Sequence, residues 1–167
     1  AGGHGGTYSP FAFIHEVRSF FQGPIILAGG MTRGEDILAA EILGADFAYF
    51  GTRFIPATES MASDDYKQMV IDSGIEDILY TDVFSGIHAN YLIPSITKAG
   101  LDPENLPGKT EMDFAKREQT DAKAWKNIWG AGQGTGSIHS QQSIASITEE
   151  LFSQYTEAKR RLMATAR

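Results

Sequence analysis

The sequence contains no cysteine. That excludes disulfides, thiolate metal sites and a cysteine nucleophile, and it suits a cytoplasmic location. Positive charge is also scarce: 14 Lys and Arg stand against 21 Asp and Glu, a formal net charge of -7. Nucleic acid and anionic membrane both select basic surfaces, so neither is an expected partner. Long hydrophobic runs are lacking. The longest, such as Pro24 to Ala28, fall far short of a bilayer span. His15, His88 and His139 have no metal-ligand spacing with one another or with carboxylates, and no His-Glu-x-x-His occurs. No metal is expected, and these three histidines read as structural or solvated. Internal repeats and low-complexity tracts are absent too.

What is present fits an ordinary globular chain. Its 167 residues suffice for one domain with a real core, and 42% hydrophobic with 21% charged residues is unremarkable. Phe11 to Phe21 carries Ile14, Val17 and Phe21 at helical spacing. Pro24 to Leu27 is a short apolar run, which predicts a strand buried on both faces. A helix is expected from Thr32 or Gly34 through Leu43, stopped by Gly44. Ala45 to Phe50 reads as a second buried strand closed by Gly51-Thr52, and another helix follows from about Ser63. Helix, strand, helix, strand predicts parallel α/β architecture. Residues 74–130 hold Pro94, Pro103, Pro107 and a charged stretch from Lys109 to Lys126, and are expected to form a small, mostly helical cap or lobe. Residues 131–167 read as a Gly-rich loop and an amphipathic helix from about Ser143 to Met163. Its stripe is Ile144, Ile147, Leu151, Tyr155, Ala158 and Leu162, and Ser146 with Glu149 has capping-box spacing. Residues 1–73 would supply the βα units.

The opening run Ala1-Gly2-Gly3-His4-Gly5-Gly6 sets an imidazole among residues almost without side chains. Such glycines let a flat ligand lie against the main chain, and a histidine can move a proton near neutral pH. The chain opens on this motif without a Met or a preceding strand, and reads as the C-terminal part of something larger. Two predicted strand ends carry Gly29-Gly30 and Gly51-Thr52. In an α/β barrel, loops after the last two strands commonly form a phosphate site with a helix N-terminus. Glycine lets N–H groups approach the phosphate oxygens, and threonine adds a hydroxyl donor. Either pair alone reads equally as turn glycines; the two in consecutive βα units favour phosphate.

Two other runs imitate nucleotide motifs. Gly108-Lys109-Thr110 looks like the end of a P-loop, but Pro103 stands where the first glycine belongs. Gly132-Gln133-Gly134-Thr135-Gly136-Ser137 imitates a dinucleotide fingerprint, with Ser137 in place of the third glycine and no strand before it. Spacing leaves the function of that loop open.

With Leu27-Ala28-Gly29-Gly30-Met31, Phe50-Gly51-Thr52-Arg53-Phe54, Phe84-Ser85-Gly86 and Gly132 to Gly136, the Gly-Gly-His opening resembles the nitronate monooxygenase (2-nitropropane dioxygenase) family of FMN-dependent TIM barrels. The resemblance implies the C-terminal part of a (β/α)₈ barrel, with the early strands and further FMN contacts supplied by an N-terminal half. It implies that His4 is the active-site histidine, and that Gly30, Gly51 and Thr52 hold the FMN phosphate. Gly2, Gly3 and Gly29 would line the cofactor, and Gln133 and Gly134 would return towards the flavin. The implied activity is oxidation of alkyl nitronates or nitroalkanes with dioxygen. The same barrel superfamily offers NAD(P)H:quinone and enoyl-thioester reductases as alternatives. A non-catalytic fragment or phosphate-binding module is the reading from a different class.

Overall fold

A computed structural model describes residues 5–106 and 127–165. The first unit is built as the apolar pattern predicts. Helix α1 (Pro10–Phe20) starts with a proline at a position where its missing N–H costs nothing, and buries Ile14. Strand β1 (Ile26–Ala28), helix α2 (Gly34–Leu43) and strand β2 (Phe47–Tyr49) follow. The two strands pair in parallel, with Leu27 opposite Ala48. Gly44 ends α2 at φ +104, where a side chain would be strained.

Ile14, Ala40 and Ala45 form the core between the helices and the sheet, with Leu27 and Ala48 packed against it. Arg18, in the last turn of α1, ties this layer together. It donates to the Gly44 carbonyl at 2.8 and 3.1 Å and pairs with Asp46 at 2.6 Å. The Asp46 carboxylate also accepts the Ile25 N–H at 2.8 Å, which fixes the start of β1 beside β2.

The strands depart from the expected burial on both faces. Ile26 is 64% exposed, Phe47 61% and Tyr49 55%. Alternate residues of a strand point to opposite faces, so Leu27 and Ala48 meet the helices while these three point the other way. Among the described residues, nothing covers that second face.

The lobe also departs from expectation, because its described part is not mostly helical. Helix α3 (Asp64–Asp72) leads through a short 3-10 turn into strand β3 (Ile78–Thr81). Strand β4 (Ala89–Leu92) pairs with it antiparallel, Ile78 opposite Leu92 and Tyr80 opposite Asn90. The short helix α4 (Ile93–Lys98) follows directly. All four β4 residues are buried, so no polar alternation marks it as a strand. The charged stretch from Lys109 to Lys126 lies outside the described residues.

Val70 of α3, Leu92 of β4, Ala131 and Ile138 share one core, so the three segments distinguished along the sequence interlock here. Helix α5 (Ile144–Thr165) closes the fold. Ile147 and Leu151 are buried with Ala57 against Ile37, Phe50 and Phe54; full burial of such a side chain contributes roughly 1.5–3 kcal/mol. Ala158 is buried as the stripe predicts, whereas Ile144 and Leu162 are exposed at its ends. The helix start differs from the predicted Ser146–Glu149 box: Ser143 Oγ accepts the Ser146 N–H at 3.1 Å. Glu59 adds a second cap, accepting the Ile144 N–H at 3.0 and 3.1 Å.

Candidate functional site

The C-terminal ends of β1 and β2 open on one shallow cleft. Its lining includes Gly29, Gly30, Gly51, Thr52, Gly132 and Gly134, with Met31, Thr32 and Tyr49 beside them. Both strand-end glycine pairs read from the sequence therefore meet in one place.

The two loops use glycine for different physical reasons. Gly29 and Gly30 have φ of +110 and +69, so the turn after β1 runs through the left-handed region. A Cβ at either would meet nothing within 4 Å, which leaves open space over that backbone. Gly134 is needed for closeness. A Cβ there would lie 2.6 Å from the Gly30 carbonyl oxygen and 2.6 Å from Thr32 Cγ2. The glycine-rich loop thus presses on the turn after β1, although the two are distant in sequence.

Thr52 departs in part from its expected role. It is buried, and its Oγ1 accepts the Gly132 N–H at 2.7 Å. The hydroxyl therefore bridges two loops first, and what it retains for a ligand is its own proton. Arg53, which spacing did not single out, is only 4% exposed. It donates to Gln142 at 2.5 Å and pairs with Glu150 of α5 at 3.0 Å. These bonds clamp the 3-10 turn Thr52–Phe54 against α5. The signal was its place in the Gly-Thr-Arg-Phe motif.

The helix N-terminus expected to face a phosphate is internally satisfied at α2. Asp36 accepts the N–H groups of Thr32 and Arg33, each at 2.8 Å, and Gln154 accepts that of Gly34 at 2.8 Å. Donors for an anion come instead from the loops. Among the described residues, neither the Gly30 nor the Gly51 N–H has an acceptor in the protein. Gln133 is exposed and does not line the cleft, whereas Gly132 and Gly134 on either side do. Gly2, Gly3 and His4 lie outside the described residues. Gly5 is placed: the Tyr80 hydroxyl donates to its carbonyl at 3.1 Å.

The residues present fit a phosphate-bearing flavin. Two backbone donors without an acceptor among the described residues, a hydroxyl proton and open glycine backbone converge in one cleft at strand C-termini. No group of three or more potential metal ligands occurs among the described residues, and no described helix is long and apolar enough to cross a membrane.

Comparison with known proteins gives the family and the fold. The family model for nitronate monooxygenase matches residues 1–154. A nitronate monooxygenase of Paraburkholderia phytofirmans is 30% identical over 171 residues, covering 90% of this chain and 46% of that protein. The solved nitroalkane oxidase of Streptomyces ansochromogenes superposes with TM-score 0.74 at 26% identity, over 97% of this chain and 51% of that one. FabK from Thermotoga maritima superposes with TM-score 0.76 at 25% identity, over 99% of this chain and 54% of that one. The chain spans about half the length of the relatives it matches. It belongs to the nitronate monooxygenase family.

Proposed function

We propose that this chain forms the phosphate-binding and histidine-bearing part of an FMN-dependent oxidoreductase that oxidises alkyl nitronates or nitroalkanes with dioxygen. The observation that carries the reading is the convergence of Gly30, Gly51 and Thr52 on one cleft, with the Gly30 and Gly51 N–H groups lacking an acceptor among the described residues, in a chain of this family. The chemistry supplied by bound FMN is electron transfer from the substrate to dioxygen.

The chain's own residues bind and orient. The N–H groups of Gly30 and Gly51 and the Thr52 hydroxyl take the phosphate oxygens, where backbone donors lose no side-chain entropy. Gly29 leaves the main chain bare beside the cofactor, and Gly2 and Gly3 do the same in the opening run. Gly134 sets the position of the Gly30 turn by contact, and Gln133 lies on the same returning loop. His4 sits by the nitro group and takes the α-proton of a neutral nitroalkane. A nitronate arrives already deprotonated and needs only a hydrogen-bond donor there.

Anaerobic mixing of the flavin-loaded protein with an alkyl nitronate tests the reading. Loss of the oxidised-flavin absorbance on nitronate, and its return on admitting oxygen, is the expected result. Reduction by NAD(P)H with no response to nitronate would instead assign the site to a related reductase.

A further inference from the structure

Helix α3 lines no part of the cleft, yet it holds the chain that leads into it. The Tyr66 hydroxyl donates to the Gly130 carbonyl. Two residues later the Gly132 N–H donates to Thr52 Oγ1 at 2.7 Å. The Tyr66 ring stacks on Trp129, with centroids 5.0 Å apart and planes at 19°. Lys98 of α4 places its Nζ 5.8 Å from the Trp129 ring centroid and pairs with Asp65, the residue before Tyr66, at 2.7 Å.

Residues 130–132 are placed almost wholly through their backbone, because Gly130 and Gly132 have no side chain to pack and Ala131 has only its buried methyl. The Trp129 N–H donates to the buried Ser95 Oγ at 2.9 Å, and the Trp129 carbonyl accepts the Leu92 N–H at 2.8 Å. The Ala131 N–H donates to the Asn90 carbonyl at 3.3 Å. Trp129, Gly130 and Ala131 are thus anchored to α4, α3 and β4 before the chain reaches Thr52. The Tyr66 hydroxyl is the side-chain anchor nearest Gly132 in the chain.

What this fixes is the direction from which Gly132 approaches Thr52. A hydroxyl oxygen that accepts on one side turns its own proton to another, and accepting polarises the O–H so that it donates more strongly. Thr52 is buried and lines the cleft, so a shift of Gly132 changes where its proton points. Burial pushes the Tyr66 phenol up to about 12, and the donor to Gly130 therefore keeps its proton at neutral pH.

We propose that Tyr66 is a positioning residue for the anion site: it fixes Gly130, so that Gly132 meets Thr52 and the Thr52 hydroxyl is aimed at a phosphate oxygen in the cleft. The proposal rests on the reading of the cleft as the FMN phosphate site. It gives α3 a part in telling a phosphorylated flavin from a bare one.

The test titrates FMN and riboflavin against the wild type, Tyr66→Phe, Thr52→Val and the double variant, and follows the Gly132 amide proton by NMR without flavin. Tyr66→Phe keeps the stacked ring and removes only the donor, so it serves even where Thr52→Val fails to fold. Expected for Tyr66→Phe is an upfield move of the Gly132 amide proton. Its FMN affinity should fall by roughly fivefold, the worth of one neutral hydrogen bond, with riboflavin affinity unchanged. In the Thr52→Val background the same substitution should cost no further FMN affinity, because no hydroxyl remains to be aimed. An unmoved Gly132 amide proton overturns the positioning role whatever the flavins do. So does an equal loss of FMN and riboflavin affinity, which a general loosening of the fold would give. An equal loss of FMN affinity with and without the Thr52 hydroxyl overturns it too. A wild type that binds both flavins alike overturns the phosphate reading instead, and the Gly132 resonance still decides whether Tyr66 places the partner of Thr52.

Discussion

The Thr52 hydroxyl oxygen accepts the Gly132 N–H at 2.7 Å, joining the turn after β2 to a glycine-rich loop eighty residues further along. Both groups are buried, so removing one strands the other. Thr52→Val keeps the shape and deletes the acceptor. It should lower stability by about 1–3 kcal/mol, the usual penalty for a buried unpaired donor, and weaken FMN as well. Thr52→Ser should restore most of both. Thermal unfolding and flavin fluorescence titration on the two variants check this. Equal stability of the valine and serine variants would remove the bridge from the account.

Gly134 and Gly30 are coupled by contact, and each should fail differently. Gly134→Ala drives a Cβ towards the Gly30 carbonyl, which stands 2.6 Å from that position. Overpacking of this kind costs on the order of 1–3 kcal/mol and displaces the turn proposed to hold the phosphate. Gly30→Ala meets no neighbour but must adopt φ of +69, a left-handed conformation costing roughly 1–2 kcal/mol. Both should lose FMN affinity, and only Gly134→Ala should also disturb the backbone resonances of the other loop.

Much of this was legible along the chain, for a local reason. Gly29, Gly30 and Gly44 satisfy positive φ at the ends of β1 and α2, and that requirement leaves a mark at a single position. The β3–β4 pair left no such mark, because β4 is buried throughout and shows no polar alternation. The part played by Gly132 and Gly134 was not legible either. It arises from contacts with Thr52, Gly30 and Thr32, and spacing within the loop says nothing of partners so far away. The α2 N-terminus misled for a third reason: Asp36 and Gln154 consume the donors that an exposed helix start would offer.

Glu59 makes the start of α5 sensitive to acid. The Thr58 hydroxyl donates to its carboxylate at 2.8 Å and the Ile144 N–H at 3.0 Å. These bonds, the Thr58 one first, hold the carboxyl below its ordinary 4.5. A carboxylate with a depressed folded pKa stabilises the fold above its unfolded value and loses that contribution as pH falls through the folded one. The first turn of α5 should therefore be secure at neutral pH and fray only below pH 4.5. The Ile144 amide resonance reports it directly. Glu59→Gln should abolish that titration while leaving the cleft intact.

His4→Asn separates two tasks of the imidazole. If it removes the α-proton, turnover of a neutral nitroalkane should fall roughly 10²–10⁴-fold. Turnover of the matching nitronate should fall far less, since asparagine still donates a hydrogen bond. Equal losses on both forms would make His4 a partner of the anion rather than a base.

The central claim is that the cleft between Gly30 and Gly51 holds the phosphate of FMN, and riboflavin tests it because it lacks only that group. Titrating both flavins against the wild type and Gly51→Val separates the phosphate from the ring. The wild type should prefer FMN strongly, and Gly51→Val should abolish the preference while leaving riboflavin affinity nearly unchanged. An FMN preference that survives Gly51→Val undiminished would put the phosphate elsewhere and contradict the account.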